Sequence, residues 1–128
     1  MTHQELYRLA VLAREMSYSP YSNFAVGAAL LCDDGSVYTG CNIENAALGP
    51  TACAERVAVF KAVSEGKRGF VAIAVAGGPA DSAMPDGDCF PCGVCRQVLA
   101  EFCPPSLAVV TKNHVTTLGQ LLPHSFKL

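Results

Sequence analysis

Cys53-Ala54-Glu55 and Pro91-Cys92-Gly93-Val94-Cys95 are the two stretches whose joint reading decides the fold. Together they supply three thiols and one carboxylate. Three thiolates can hold a tetrahedral zinc ion and leave a fourth position open to water. A carboxylate two residues from one ligand can handle protons at that water. Each stretch opens a helical pattern, so two helix N-termini should converge on the metal. The pattern points to hydrolytic zinc chemistry.

Working outward, Thr51 is placed to cap a helix over roughly Ala52 to Glu65, and Gly66 stops it. Phe70 to Ala76 is a continuous apolar run, expected to be a central strand covered on both faces. Gly77 to Phe90 is rich in Gly, Pro and Asp and carries no periodicity. Pro91 suits the first turn of the next helix, which should bury Val94, Val98, Leu99 and Phe102 and end at Pro104-Pro105. Leu107 to Val110 reads as a short buried strand. His114 to Thr117 reads as an edge strand, and Leu118 to Leu122 as a short helical piece.

Upstream, Thr2-His3-Gln4-Glu5 has the capping-box pattern. Leu6, Leu9, Ala10, Ala13 and Met16 then share one helical face, giving a helix from about His3 to Ser17. Phe24 to Leu31, the Asp33-Asp34-Gly35 turn and Val37-Tyr38 form a hairpin. Gly27 within it marks either close backbone approach or a bulge. The order is helix, hairpin, helix, strand, helix, strand. Helices that link extended segments act as crossovers, so a mixed sheet with helices on both faces is expected.

At 128 residues the chain, 1–128, is expected to be one domain. Only 16% of residues are charged and 51% are hydrophobic, which suggests that much of the exterior is covered by other subunits. Net charge is −2 and no Lys/Arg cluster occurs, which argues against a nucleic-acid polymer as partner. The N-terminus lacks signal-peptide regions, and no apolar run could span a bilayer. Seven cysteines without a regular framework fit a reducing, cytoplasmic setting.

Cys92-x-x-Cys95 alone fits a zinc half-site, a redox dithiol or a packed pair. Adding Cys53-x-Glu55 favours zinc. A closed, inert site completed by Cys89 is the structural alternative. Cys32, Cys41 and Cys103 read as small buried hydrophobes. Three thiolates and Zn²⁺ carry about one negative charge, which makes bound water harder to ionise. Two helix N-termini can offset it. Arg56 can do so by hydrogen bonds to sulfur, unless it is simply a solvated helix residue.

The motifs resemble the small homotetrameric zinc-dependent cytidine deaminases. The likeness runs through Pro20-Tyr21-Ser22-x-Phe24-x-Val26-Gly27-Ala28-Ala29, Gly40-Cys41-Asn42-Ile43-Glu44-Asn45-Ala46, Cys53-Ala54-Glu55-Arg56 and Pro91-Cys92-Gly93-Val94-Cys95-Arg96-Gln97. It implies a three-layer α/β/α fold with a mixed sheet of roughly five strands. It implies one Zn²⁺ per chain on Cys53, Cys92 and Cys95. Glu55 would shuttle protons while a zinc-bound hydroxide attacks C4 of cytidine or deoxycytidine, releasing ammonia. Asn42 and Glu44 would read the sugar, Phe24 would line the base pocket, and the Ala54 N–H would meet the base carbonyl. Phe126 would enter a neighbour's site in the tetramer. Leu48 departs from the aromatic often found at its position. The implied role is pyrimidine salvage. Two further readings remain: a deaminase of a modified cytosine nucleoside such as blasticidin S, and a non-catalytic structural-zinc module. From the residues alone, Phe24 reads as core, Asn42 as a turn residue and Glu44 as a solvated carboxylate.

Overall fold

The computed structural model describes all 128 residues. Thr2 caps α1 (His3–Ala13), and both halves of the capping box close: Glu5 N donates to Thr2 Oγ1 at 3.0 Å and Thr2 N to Glu5 Oε1 at 3.2 Å. Leu6 and Ala10 are buried against the sheet. One turn further, the buried position belongs to Arg14 rather than to an apolar residue. The chain tightens into a 3₁₀ turn at Arg14–Met16, which swings Met16 off the expected apolar face and leaves it 79% exposed.

The hairpin forms as expected. β1 (Phe24–Cys32) pairs antiparallel with β2 (Val37–Cys41), and Gly35 takes the positive φ that the turn needs. On the other side of β1 lies β3 (Phe70–Pro79), also antiparallel. The short strand β4 (Ala108–Val110) runs parallel to β3, and β5 (Val115–Thr117) closes the edge antiparallel to β4. The sheet therefore has five strands in the order β2-β1-β3-β4-β5. α2 (Ala54–Ser64) carries the chain from β2 over β1 to β3, and α3 (Gly93–Phe102) links the parallel pair β3 and β4. A single turn, α4 (Leu118–Leu121), follows β5.

Strand alternation sorts the core into two layers. Ala28, Leu30, Ile73 and Val75 face α2 and α3, where they meet Ala58, Val59 and Leu99. Ala29, Ala72, Ala74 and Ala76 face α1, where they meet Leu6 and Ala10. The second layer is mostly alanine, so α1 lies close to the sheet. A Cβ on Gly27 would stand 2.0 Å from the Ala10 carbonyl oxygen. Gly27 therefore serves close backbone approach; the register shift in β1 falls elsewhere, between Leu31 and Cys32.

Three local expectations are corrected. The cap of α2 is Cys53, not Thr51, because Ala52 pairs with Ile43 in both directions and keeps the chain extended one step longer. α3 begins at Gly93 with Cys92 as its cap, so Pro91 lies before the helix, and Val94 is 58% exposed on its outer side. β3 continues past Ala76 to Pro79, and Asp88 returns to bridge Ala76. Part of the patternless 77–90 stretch is thus sheet. No helix is long and apolar enough to cross a membrane.

Candidate active site

The caps of α2 and α3 bring the predicted thiols together. Cys53 caps α2, Cys92 caps α3, and Cys95 sits fully buried one turn into α3. Neither sulfur accepts a capping bond from the backbone of its own helix; the sulfurs face one another instead. The Cys53 and Cys92 sulfurs are 3.8 Å apart, those of Cys92 and Cys95 3.5 Å, and all three lie within 4.8 Å. Sulfurs on a tetrahedral zinc with bonds of about 2.3 Å stand about 3.8 Å apart. Donor type, number and spacing therefore suit one zinc ion with a fourth position left for water. Cys89 is outside the cluster, so the closed four-cysteine site does not form. Cys32 and Cys103 are buried, Cys41 is half-buried, and no cysteine is in a disulfide.

The neighbouring Cys95 thiol, and then Arg56 and Cys92, lower the Cys53 thiol, whereas Cys53 and burial raise that of Cys95. Arg56 Nη2 donates to the Cys53 sulfur at 3.3 Å and to the Thr51 carbonyl at 3.3 Å. The expected contact from Arg56 to sulfur is present, and its Nε is buried without a partner.

Glu55 begins α2 beside the cluster and is only 4% exposed. Burial, then the nearby Cys53 charge, push its carboxyl up to about 7. A group poised there can give and take a proton near neutral pH. A cleft of about 300 Å³ opens above Glu55, Cys53 and Cys92. Phe24, Val26, Asn42, Glu44 and Ala54 line it. Phe24 is 38% exposed and so is not core. Larger hollows of about 410 and 510 Å³ lie beside Arg14 and beside Tyr7, away from the thiols.

Asn42 and Glu44 are fixed by their neighbours. Asn42 Oδ1 accepts from Val26 N at 2.9 Å and Ser17 Oγ at 2.5 Å, and its Nδ2 donates to the Phe24 carbonyl at 2.8 Å. Glu44 accepts from the amides of Tyr21 and Ser22 and from Ser22 Oγ. The Ser22 hydroxyl, ahead of the amides, lowers the Glu44 carboxyl below its ordinary range. It therefore stays charged at neutral pH.

Five residues of the cleft, Val26, Thr51, Ala52, Cys89 and Phe90, were given no site role from the sequence. Of these, Cys89 and Phe90 lie in a stretch whose composition gave no period to read. The only available signal was closeness to Cys92, and it suggested a fourth ligand. Phe126 does not line its own chain's cleft. It is 64% exposed, with its carbonyl accepting from Gln97 Nε2 at 3.1 Å. Leu48 is 88% exposed.

Comparison with known proteins agrees with this geometry. Residues 1–111 match the family described as "Cytidine and deoxycytidylate deaminase zinc-binding region". A cytidine deaminase of Sporosarcina psychrophila is 54% identical over 89% of this chain and 83% of its own. One from Halalkalibacterium halodurans is 52% identical over 98% of this chain and 95% of its own. The crystal structure of cytidine deaminase from Burkholderia pseudomallei superposes with a TM-score of 0.89 at 48% identity, covering 98% of this chain and 100% of that one. With a family match across most of its length and three sulfurs set for one zinc ion, this chain belongs to the cytidine and deoxycytidylate deaminase family.

Proposed function

We propose that residues 1–128 act as one deaminase domain that converts cytidine and 2'-deoxycytidine to uridine and 2'-deoxyuridine, in pyrimidine salvage. The observation that carries this reading is the meeting of three thiols and a buried carboxyl at the base of one cleft. Cys53, Cys92 and Cys95 hold the zinc ion. When bound, zinc supplies the Lewis acidity that makes water nucleophilic near neutral pH.

The chain's own groups do the rest. Glu55 takes a proton from the attacking water and delivers it to N3 of the cytosine, while oxygen bonds to C4. Glu55 then carries the remaining hydroxyl proton to the exocyclic nitrogen, which leaves as ammonia. Burial suits this two-way traffic, because it raises the carboxyl toward neutral pH, where it can both take and give a proton. The Ala54 amide holds the base carbonyl. Phe24 covers the ring. Glu44 and the free N–H of Asn42 bind sugar hydroxyls, and the bonds that fix both side chains keep them aimed. Arg56 draws charge from the Cys53 sulfur.

The working unit is a homotetramer in the cytoplasm, with Phe126 completing a neighbour's site. Exposed Met16, Tyr18, Leu48, Phe60, Val94 and Phe126 support coverage by other copies.

Zinc content and loss of cytidine absorbance, measured on wild type and Glu55→Gln, test the function. One zinc in each chain is expected in both proteins. Turnover should fall about 10²- to 10⁴-fold in the variant. Zinc without turnover of either nucleoside in wild type would overturn the reading. Light scattering tests the tetramer, and a monomer that turns over cytidine would remove Phe126 from the site.

A further inference from the structure

We propose that the Cys89 thiol is the wall met by the C5 edge of the bound cytosine, and that it sets which 5-substituted cytosine nucleosides are accepted. This inference rests on the deaminase reading above.

The chemistry of the ring limits the choice. C4 must lie at the thiol end of the cleft, where Cys53, Cys92 and Glu55 meet. C4 has two ring neighbours, N3 and C5. Glu55 serves N3, so C5 turns to the other side. Ala54, Ala52 and Thr51 belong to the segment that carries Glu55. Cys92 is a ligand. With Phe24 on the ring face and Asn42 and Glu44 on the sugar, the lining groups left for C5 are Val26, Cys89 and Phe90, and of these Cys89 stands beside the Phe24 ring that covers the base. The Phe90 ring lies beside that of His114, with ring centres 6.1 Å apart. Cys89 lines the same cleft as Glu55 and Cys53, and its thiol is a weakly polar surface, suited to an apolar ring edge.

Cys89 also has little room to retreat. A Cβ on Gly77 would lie 2.8 Å from the Cys89 Sγ and 2.9 Å from Phe24 Cε2. The thiol and the aromatic ring thus share the space that a side chain at residue 77 would fill. The residue before the thiol is tied down as well. Asp88 accepts from Thr111 Oγ1 at 2.6 Å and from Asn113 N at 2.8 Å, and it pairs with His114 Nδ1 at 2.8 Å. A substituent at C5 meets a wall backed by sheet, not a mobile loop.

The test compares cytidine with 5-methylcytidine in Cys89→Ala, Cys89→Leu and wild type. Specificity is read as the ratio of the two kcat/KM values. Calorimetric binding of uridine and 5-methyluridine gives a second ratio that needs no turnover. One methylene gained or lost at a packed wall is worth roughly 10- to 200-fold. Both ratios should rise about tenfold in Cys89→Ala and fall about tenfold in Cys89→Leu. Should Cys89→Leu not fold, Cys89→Ala against wild type carries the same decision. Ratios within twofold of wild type, in proteins that turn over cytidine, would overturn the assignment of Cys89 alone. Zinc-loaded wild type that neither binds uridine nor turns over cytidine would overturn the deaminase reading, and this inference with it.

Discussion

Arg56 and Cys53 are joined by a hydrogen bond of 3.3 Å from guanidinium to sulfur, and the same Nη2 reaches the Thr51 carbonyl at the same distance. One side chain therefore fixes a metal ligand to the chain just ahead of it. It also lies where three thiolates would leave an excess negative charge on the centre. Arg56→Gln removes the charge and the fork; Arg56→Lys keeps the charge only. Zinc affinity, measured by competition with a chelator, should fall about 10- to 100-fold in Arg56→Gln. Arg56→Lys should lie between that variant and wild type. Equal affinities in all three would show that the contact does not tune the site.

Asn42 has four hydrogen-bonding places, and three are filled within the chain: by Val26 N, Ser17 Oγ and the Phe24 carbonyl. Those bonds set the start of β1, which carries Phe24 and Val26 into the cleft. Asn42→Ala should therefore show two effects. KM for cytidine should rise at least about tenfold with a smaller change in kcat, as when uniform binding is lost. Stability should fall by about 1–3 kcal/mol from the orphaned partners, seen in urea unfolding. A normal KM with lowered stability would leave Asn42 a purely structural residue.

The legible parts of this protein were those with a repeating or chemically distinctive pattern. The capping box at Thr2, the hairpin of β1 and β2 and the Cys53, Cys92 and Cys95 set all stand where they were read. Helix starts at 53 and 92 were displaced because tertiary contacts outweighed local signals. Ile43 holds Ala52 extended, so Thr51 cannot cap. Met16 illustrates the same point: its spacing was right for a helix that instead tightened at Arg14. Cys89 and Phe90 were illegible as cleft residues because Asp88, bonded to residues more than twenty positions away, places them. No local periodicity encodes such a contact.

Asp88 gives a pH-dependent prediction. Hydrogen bonds from Thr111 and the Asn113 amide, and then from His114, lower its carboxyl to about 2, against an ordinary value near 3.8. A folded-state value below the unfolded one means that the ionised form favours folding. The stabilisation is complete above about pH 4 and disappears as pH falls toward 2. Asp88→Asn lacks it at every pH. The melting-temperature gap between wild type and Asp88→Asn should thus be constant from pH 7 to 5 and close between pH 4 and 2. Thermal melts across that range decide it. A gap unchanged down to pH 2 would show that the Asp88 charge plays no part in holding the 85–90 segment against residues 111–114.

Arg14 predicts the largest stability loss outside the metal cluster. It is 5% exposed and has no ion-pair partner. Its Nε donates to the Ala25 carbonyl at 3.2 Å, and its Nη atoms to those of Gly78, Pro79 and Ser82 at 3.0–3.1 Å. Four backbone carbonyls thus replace a carboxylate. They come from β1, from the end of β3 and from the turn that follows it. Arg14→Met keeps much of the buried stem but abandons all four acceptors, and should cost about 2–4 kcal/mol. Arg14→Lys keeps the charge, yet its compact ammonium has three donors and no fork to span these segments. It should recover less than half of the loss. Urea midpoints of the three proteins measure this. Full recovery by lysine would mean that charge alone suffices; the spread of the acceptors around one planar guanidinium argues that geometry decides.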